Sequence, residues 1–250
     1  QFTQISGITA LINSLIGFFF GGIVLIKVIK TKKKMVLLFF FTIVFTLSPW
    51  YPAGLGYFYW LFTTQTFFYQ IYVLVGTVGI PIAIIAWLEI YISTIRPKIR
   101  DLVIGIYGTF SLIFELYLFF FLFFAPGAPI KPLLGVIKEA TNPLDIDYKG
   151  FILVYLGASI LIACITGIHF AITSMRIKEN KKIVWKGRFL LLSFTLFGFG
   201  AIFDAIIDLN TFFLILIRII LVLSTFFFYL GFILPRWVQN VLSIKENTNG

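Results

Sequence analysis

The chain has 250 residues, of which 60% are hydrophobic and 12% charged, with a mean hydropathy of +1.03. A soluble core of this size carries about a quarter charged residues, so the composition describes an integral membrane protein. The formal charge of +10 does not point to nucleic acid, because the basic residues fall between apolar runs instead of forming a stripe. The single cysteine, Cys164, excludes an intrachain disulfide, a zinc cluster or an iron–sulfur cluster.

The chain begins at Gln1, so either its numbering starts after a removed leader or its native start was processed. The first apolar run, Ile5 to Ile29, is too long for a signal-peptide core and lacks a preceding positive region, so it reads as a span. Its Gly17 and Gly21 have the spacing that lets helices approach closely. Lys27, Lys30 and Lys32 to Lys34 end it. The tract from Met35 to Ile95 exceeds one span and suits two, with a turn at Thr63 to Thr66. Pro49 and Pro52 interrupt the first of these, which continues kinked to about Tyr59, and Gly79-Ile80-Pro81 bends the second.

Arg96, Lys98 and Arg100 lead into a fourth span, Leu102 to Ala125. The loop from Pro126 to Lys149 follows, holding four of the nine prolines, and its Lys131 to Ala140 piece is expected as a short surface helix. The fifth span is Gly150 to Met175, with a small-residue strip of Ala163, Gly167 and Ala171. A basic loop, Arg176 to Arg188, precedes the sixth span, Phe189 to Leu209, and the seventh, Thr211 to Leu234. After Pro235, Trp237, Val241 and Ile244 suit a brief amphipathic helix on the membrane surface.

The expectation is therefore an all-α bundle of seven transmembrane helices over residues 1–235, with a short interfacial tail, 236–250, in a multi-pass protein of the cell membrane. Loops on one side, with the tail, hold 16 lysines and arginines and the other side three. The positive-inside rule then puts the N-terminus outside and the C-terminus in the cytoplasm. The absence of a convincing internal repeat weighs against an inverted-repeat transporter.

The site signal is strongest in the last hairpin. Gly200, Asp204 and Asp208 share one helix face beside Ala201 and Ala205, and Arg218 lies about two turns into the next helix. Stepping ~1.5 Å per residue from the turn at Asn210, Asp204 and Arg218 reach nearly the same depth. Either charge alone near the bilayer centre costs at least ~2.5 kcal/mol, so Asp204, Asp208 and Arg218 are expected to form an intramembrane ion pair. That group reads either as a switch, ligand anchor or proton relay, or as a structural lock.

Glu115, deep in the fourth span after Gly108 and Ser111, reads either as a functional acid kept protonated by burial or as a neutral helix contact. Glu89 and His169 near the ends of their spans either meet, giving a polar relay with Glu115, or reach the interface separately. Trp50, Tyr51, Tyr57, Tyr59, Trp60, Tyr69 and Tyr72 form either an interfacial aromatic belt or a pocket lining. Trp50, Tyr51, Tyr72 and Asp204 are the candidate walls of an outer cavity for an apolar small molecule with one hydrogen-bonding group.

The chain is read as non-enzymatic. Gly157-Ala158-Ser159-Ile160 lacks the final glycine of an intramembrane serine-protease motif, and one histidine does not make a typical copper or zinc site. A retinal Schiff base needs a lysine in the seventh span, where Arg218 is no substitute. No cofactor or metal is expected.

Lys186-Gly187-Arg188-Phe189-Leu190, Gly200 to Ala205, Arg218 and Phe228 to Trp237 resemble a group of uncharacterised archaeal seven-span membrane proteins. The resemblance covers some 60 residues closely, implies the seven-span fold and brings no activity with it. A looser similarity, to the seven-helix sensor modules of histidine kinases, lacks a following kinase domain. The leading expectation is a sensor or receptor-like protein signalling through a separate membrane or cytoplasmic partner. The alternatives are a non-catalytic subunit of a larger membrane assembly, or a small ion or solute transporter.

Overall fold

The structure, a computed structural model, describes residues 2–124, 133–138, 142–207 and 210–244. Among the described residues, seven helical segments are long and apolar enough to cross a membrane. The first is α1 (Phe2–Thr31). Lys32, left-handed at φ 51°, turns the chain into α2 (Lys34–Phe45).

The second span is broken where the prolines fall. After α2 comes one 3₁₀ turn, Ser48–Trp50, and then α3 (Tyr51–Thr63), with Pro49 and Pro52 each at the start of its own segment. A proline lacks the N–H that a helix interior needs, and its ring clashes with the carbonyl four residues back, so a first turn is where it fits. Thr64, left-handed at φ 58°, ends α3 at the expected turn. The third span is α4 (Tyr69–Thr77) and α5 (Gly79–Ile95), joined at Val78, with Pro81 in the first turn of α5. The fourth, α6 (Arg100–Phe119), ends in a π turn, Phe120–Phe124.

The loop that follows differs from expectation. In place of a surface helix over Lys131 to Ala140, Gly135–Lys138 is a strand, β1, paired antiparallel with β2 (Asn142–Tyr148). Residues 131, 132, 139 and 140 lie outside the described residues. The reason for a strand is alternation: β2 buries Asn142, Leu144 and Ile146 and turns the residues between them outward, the period-two pattern of a pleat. Val136 and Ile137 add β-branched stiffness opposite it. The hairpin lies across one end of the bundle. Tyr72 Oη donates to the Leu144 carbonyl at 2.9 Å, Tyr69 Oη to the Gly135 carbonyl at 2.9 Å and Asn142 Nδ2 to Ser6 Oγ at 2.9 Å.

The fifth span is α7 (Gly150–Met175), the sixth α8 (Lys181–Ile206) and the seventh α9 (Thr211–Ile233). α8 begins well before the expected Phe189, so most of the basic loop is helix. Asn180 caps it by accepting from the N–H groups of Lys182 and Ile183. Lys186 reaches along that first stretch to the Phe232 carbonyl at 2.7 Å. The last helix, α10 (Arg236–Val241), tucks Val238 into the core and leaves Trp237 and Val241 57% and 77% exposed.

Small residues set the helix separations. A Cβ on Gly17 or Gly21 would collide with Leu47 or Val44 of the second span, so the glycine pair does seat a neighbouring helix. Gly54 faces the Ala10 carbonyl, and Gly187 the Ala171 carbonyl, where backbone meets side chain with no slack. One core cluster joins α4–α7 and the hairpin, and another joins α1, α2, α5, α8 and α9. A small third cluster of Leu47, Trp50, Tyr51, Ala201, Ile217 and Leu221 lies at the break in the second span.

Candidate functional site

That third cluster surrounds the charged pair. Gly200 on α8 packs directly on Leu221 of α9, which lets the two helices run close. Asn210 caps α9 by accepting from Phe213 N–H at 3.0 Å and so sets where the helix starts. Seven residues in, Arg218 Nη1 stands 3.3 Å from Asp204 Oδ2, with side chains 8% and 17% exposed. The two side chains face each other across the last hairpin. Asp208 lies outside the described residues.

Trp50 completes the group. The 3₁₀ turn that Pro49 starts delivers its indole to α8, where Nε1 donates to Asp204 Oδ2 at 2.6 Å. One carboxylate oxygen thus faces both a ring N–H and a guanidinium. Among the described residues, the buried Arg218 Nε and Nη1 have no hydrogen-bond partner, so the pair is held by charge at 3.3 Å without a shaped N–H···O contact. On α1, Asn13 is also buried with neither amide atom bonded. The stacking of Phe20 on Tyr229 puts Asn13 within about one helical turn of Arg218 in depth.

The other two aromatic residues of the predicted cavity have their hydroxyls on backbone carbonyls. Tyr51 Oη donates to the Val44 carbonyl of α2, while Tyr72 belongs to the larger core under the hairpin. Trp50 and Asp204 are brought together; Tyr51 and Tyr72 have their own backbone partners. From the hairpin, Asp145 comes close enough for its charge to be felt by Asp204 and Arg218. Burial pushes the Asp145 carboxyl up, and Lys138 partly pulls it back. Lys138 pairs with Asp145 at 3.1 Å and Asp147 at 3.0 Å. Tyr148 lies over Gly76, where no Cβ would fit, and burial pushes its hydroxyl up.

The polar-relay residues occupy three separate settings. Glu89 accepts from Lys34 Nζ at 2.8 Å and Arg100 Nε at 2.7 Å. His169 meets not Glu89 but Tyr91, ring Nδ1 to Oη at 2.9 Å. Glu115 has a buried carboxyl oxygen with no hydrogen-bond partner among the described residues. One turn below it, Ser111, Tyr155, Tyr107 and Ser159 form a connected run of hydroxyls.

Sequence reasoning missed that run, although its signal was available. Tyr107 and Ser111 are four apart in one apolar span, and Tyr155 and Ser159 four apart in the next, so each pair lines one helix face. Asn13, Lys138 and Asp145 were also missed. For the hairpin residues the strand assignment itself was lacking.

Comparison with family models, with curated proteins and with solved structures finds no match to this chain. The apolar helices define the class: a multi-pass helical membrane protein, with seven span-capable segments among the described residues.

Proposed function

We propose that this chain is a receptor-like sensor of the cell membrane, with its N-terminus outside and its C-terminus in the cytoplasm, that signals through a separate protein. The observation that carries the reading is the Asp204–Arg218 pair with Trp50 on the same oxygen. It fastens the last two spans and the broken second span at one point, just below the hairpin. A pair so buried is costly to maintain and simple to bias, which is the character of a two-state element.

The stimulus fits an apolar small molecule with one hydrogen-bonding group that competes for Trp50 or Asp204. A separate cleft of about 290 Å³ opens beside the hairpin, walled by Thr3, Gln4, Trp60, Thr66, Pro143 and Leu144. Shifting α9 against α8 would be felt at mid-length, where Ser193 and Ser224 exchange hydroxyl-to-carbonyl bonds, and at their far ends, where Lys186 holds the Phe232 carbonyl. The excess of basic residues at that end supports the orientation.

The test uses spin labels at Lys178→Cys and Val241→Cys in a Cys164→Ser background. Asp204→Asn is expected to shift the distance distribution between them. Identical distributions in the parent, Asp204→Asn and Arg218→Met would overturn the sensor reading. In intact cells an impermeant thiol reagent should label Val136→Cys and spare Lys178→Cys, and the reverse pattern would invert the orientation.

A non-catalytic subunit of a larger assembly is the second reading. Its support is that the fourth and fifth spans are only 28% buried, leaving Ile106, Ile113, Leu116, Val154 and Ile165 facing outward. A native particle with protein, not lipid, against those residues would favour it.

A further inference from the structure

We propose that Glu115 is a proton-binding site on the partly buried edge of α6, and that its proton exchanges along the hydroxyls of Ser111, Tyr155, Tyr107 and Ser159. The run is continuous. Ser111 Oγ lies 2.8 Å from Tyr155 Oη, Tyr155 Oη 3.0 Å from Tyr107 Oη, and Tyr107 Oη 3.0 Å from Ser159 Oγ. All four side chains are buried between α6 and α7. Each hydroxyl has one proton to give and two lone pairs, so the run can be polarised in either direction.

A proton passing along it breaks one O–H bond and makes the next at every step. The hydroxyls end re-oriented and uncharged, so no oxidant, reductant or co-reactant is required. The acceptor is the carboxylate of Glu115, which becomes the neutral acid. Glu115 is four residues after Ser111 on the same face of α6, a separation a glutamate side chain spans by rotating. Its buried oxygen has no partner among the described residues. A buried carboxylate without donors is poorly tolerated, and a bound proton removes that penalty.

Two features at the ends of the run fit this role. Beyond Glu115, α6 widens into the π turn of Phe120–Phe124, a local unwinding found frequently at functional sites. Beyond Ser159, Ala163 borders a space of about 30 Å³ lined mainly by apolar residues, among them Ile84, Trp87, Phe194 and Phe228. That space is large enough for one water molecule. The run therefore leads from α6 towards the middle of the bundle.

The core that α6 shares with its neighbours contains the tyrosines Tyr107 and Tyr117 on α6, Tyr155 on α7, Tyr69 and Tyr72 on α4, and Tyr148 from the hairpin. If the hydroxyls served packing alone, they would satisfy one another and leave the acid's exchange unaffected. The experiment separates the two. The full chain in lipid nanodiscs is moved from H₂O to D₂O while the infrared C=O band of protonated carboxyl groups is followed.

Glu115→Gln should remove a component of that band. Tyr155→Phe should keep the component and slow its hydrogen–deuterium exchange several-fold, and Tyr107→Phe should do the same. A band unaltered in Glu115→Gln, or exchange at the parent rate in both tyrosine variants, overturns the proposal. If Glu115→Gln fails to fold, Glu115→Asp carries the test. The shorter acid must shift the component, and an unshifted band overturns the assignment.

Discussion

The indole N–H of Trp50 donates to Oδ2 of Asp204 at 2.6 Å, across 154 residues of chain. The same oxygen faces Arg218 at 3.3 Å, so one carboxylate joins the broken second span to the last two helices. Removing the hydrogen bond while keeping an aromatic ring isolates its contribution. Trp50→Phe is expected to lower stability by about 1.5–3 kcal/mol, the usual range for a bond to a charged group. Thermal unfolding in detergent measures it. In an Asp204→Asn background the same substitution should cost less, and an equal cost would show that the bond contributes nothing specific.

Arg218→Met leaves Asp204 charged without its cation. Breaking one side of a buried pair commonly costs ~3–5 kcal/mol, and hydration within the membrane reduces that figure. A clear drop in melting temperature is expected. Adding Asp204→Asn should restore part of it, because the stranded charge is gone. Additive losses in the double variant would argue against direct pairing.

Gly54 and Gly105 are a matched contrast. A Cβ on Gly54 would lie 2.8 Å from the Ala10 carbonyl and 2.7 Å from Ser14 Oγ, and a helix backbone does not yield locally. Gly54→Ala should therefore push α1 from α3 and destabilise by roughly 1–3 kcal/mol. A Cβ on Gly105 meets nothing within 4 Å, so Gly105→Ala should be neutral or stabilising by up to ~1 kcal/mol. Melting temperatures moving in the same direction would remove the packing argument.

Lys138 gives the hairpin a defined pH response. Burial pulls its ammonium down, but Asp145 and Asp147 more than offset this, and the net displacement is upward from the ordinary 10.5. A group raised on folding contributes its stability in full below the unfolded value and loses it as pH climbs through the folded one. Partly exposed pairs are worth about 0–1 kcal/mol each, so Lys138→Met should cost on the order of 1 kcal/mol. The difference between parent and variant melting should be flat across neutral pH and shrink above 10.5. The difference should also fall in acid as the raised Asp145 carboxyl takes up a proton, and a difference that persisted unchanged at both extremes would assign the hairpin's stability to another group.

The amino-acid sequence by itself determined the number of spans, their approximate ends and the breaks at Pro49 and Pro81. It also made the partnership of Asp204 and Arg218 legible. These are properties of single residues or of one hairpin: apolar transfer free energy summed along a run, a missing N–H, and depth counted from a turn. The tertiary structure decided what depends on how the helices are rotated against one another. It turned Trp50 towards α8, gave Glu89 to Lys34 and Arg100 and His169 to Tyr91, and aligned Ser111 with Tyr155. Those rotations come from close contacts such as Gly54 on Ala10 and Gly187 on Ala171, where missing side chains set which faces meet. The hairpin was hidden for a related reason. Its strands are too short for their alternation to stand out among prolines, and their buried side becomes apparent only against Tyr69, Tyr72 and Ser6, to which the strands are bonded.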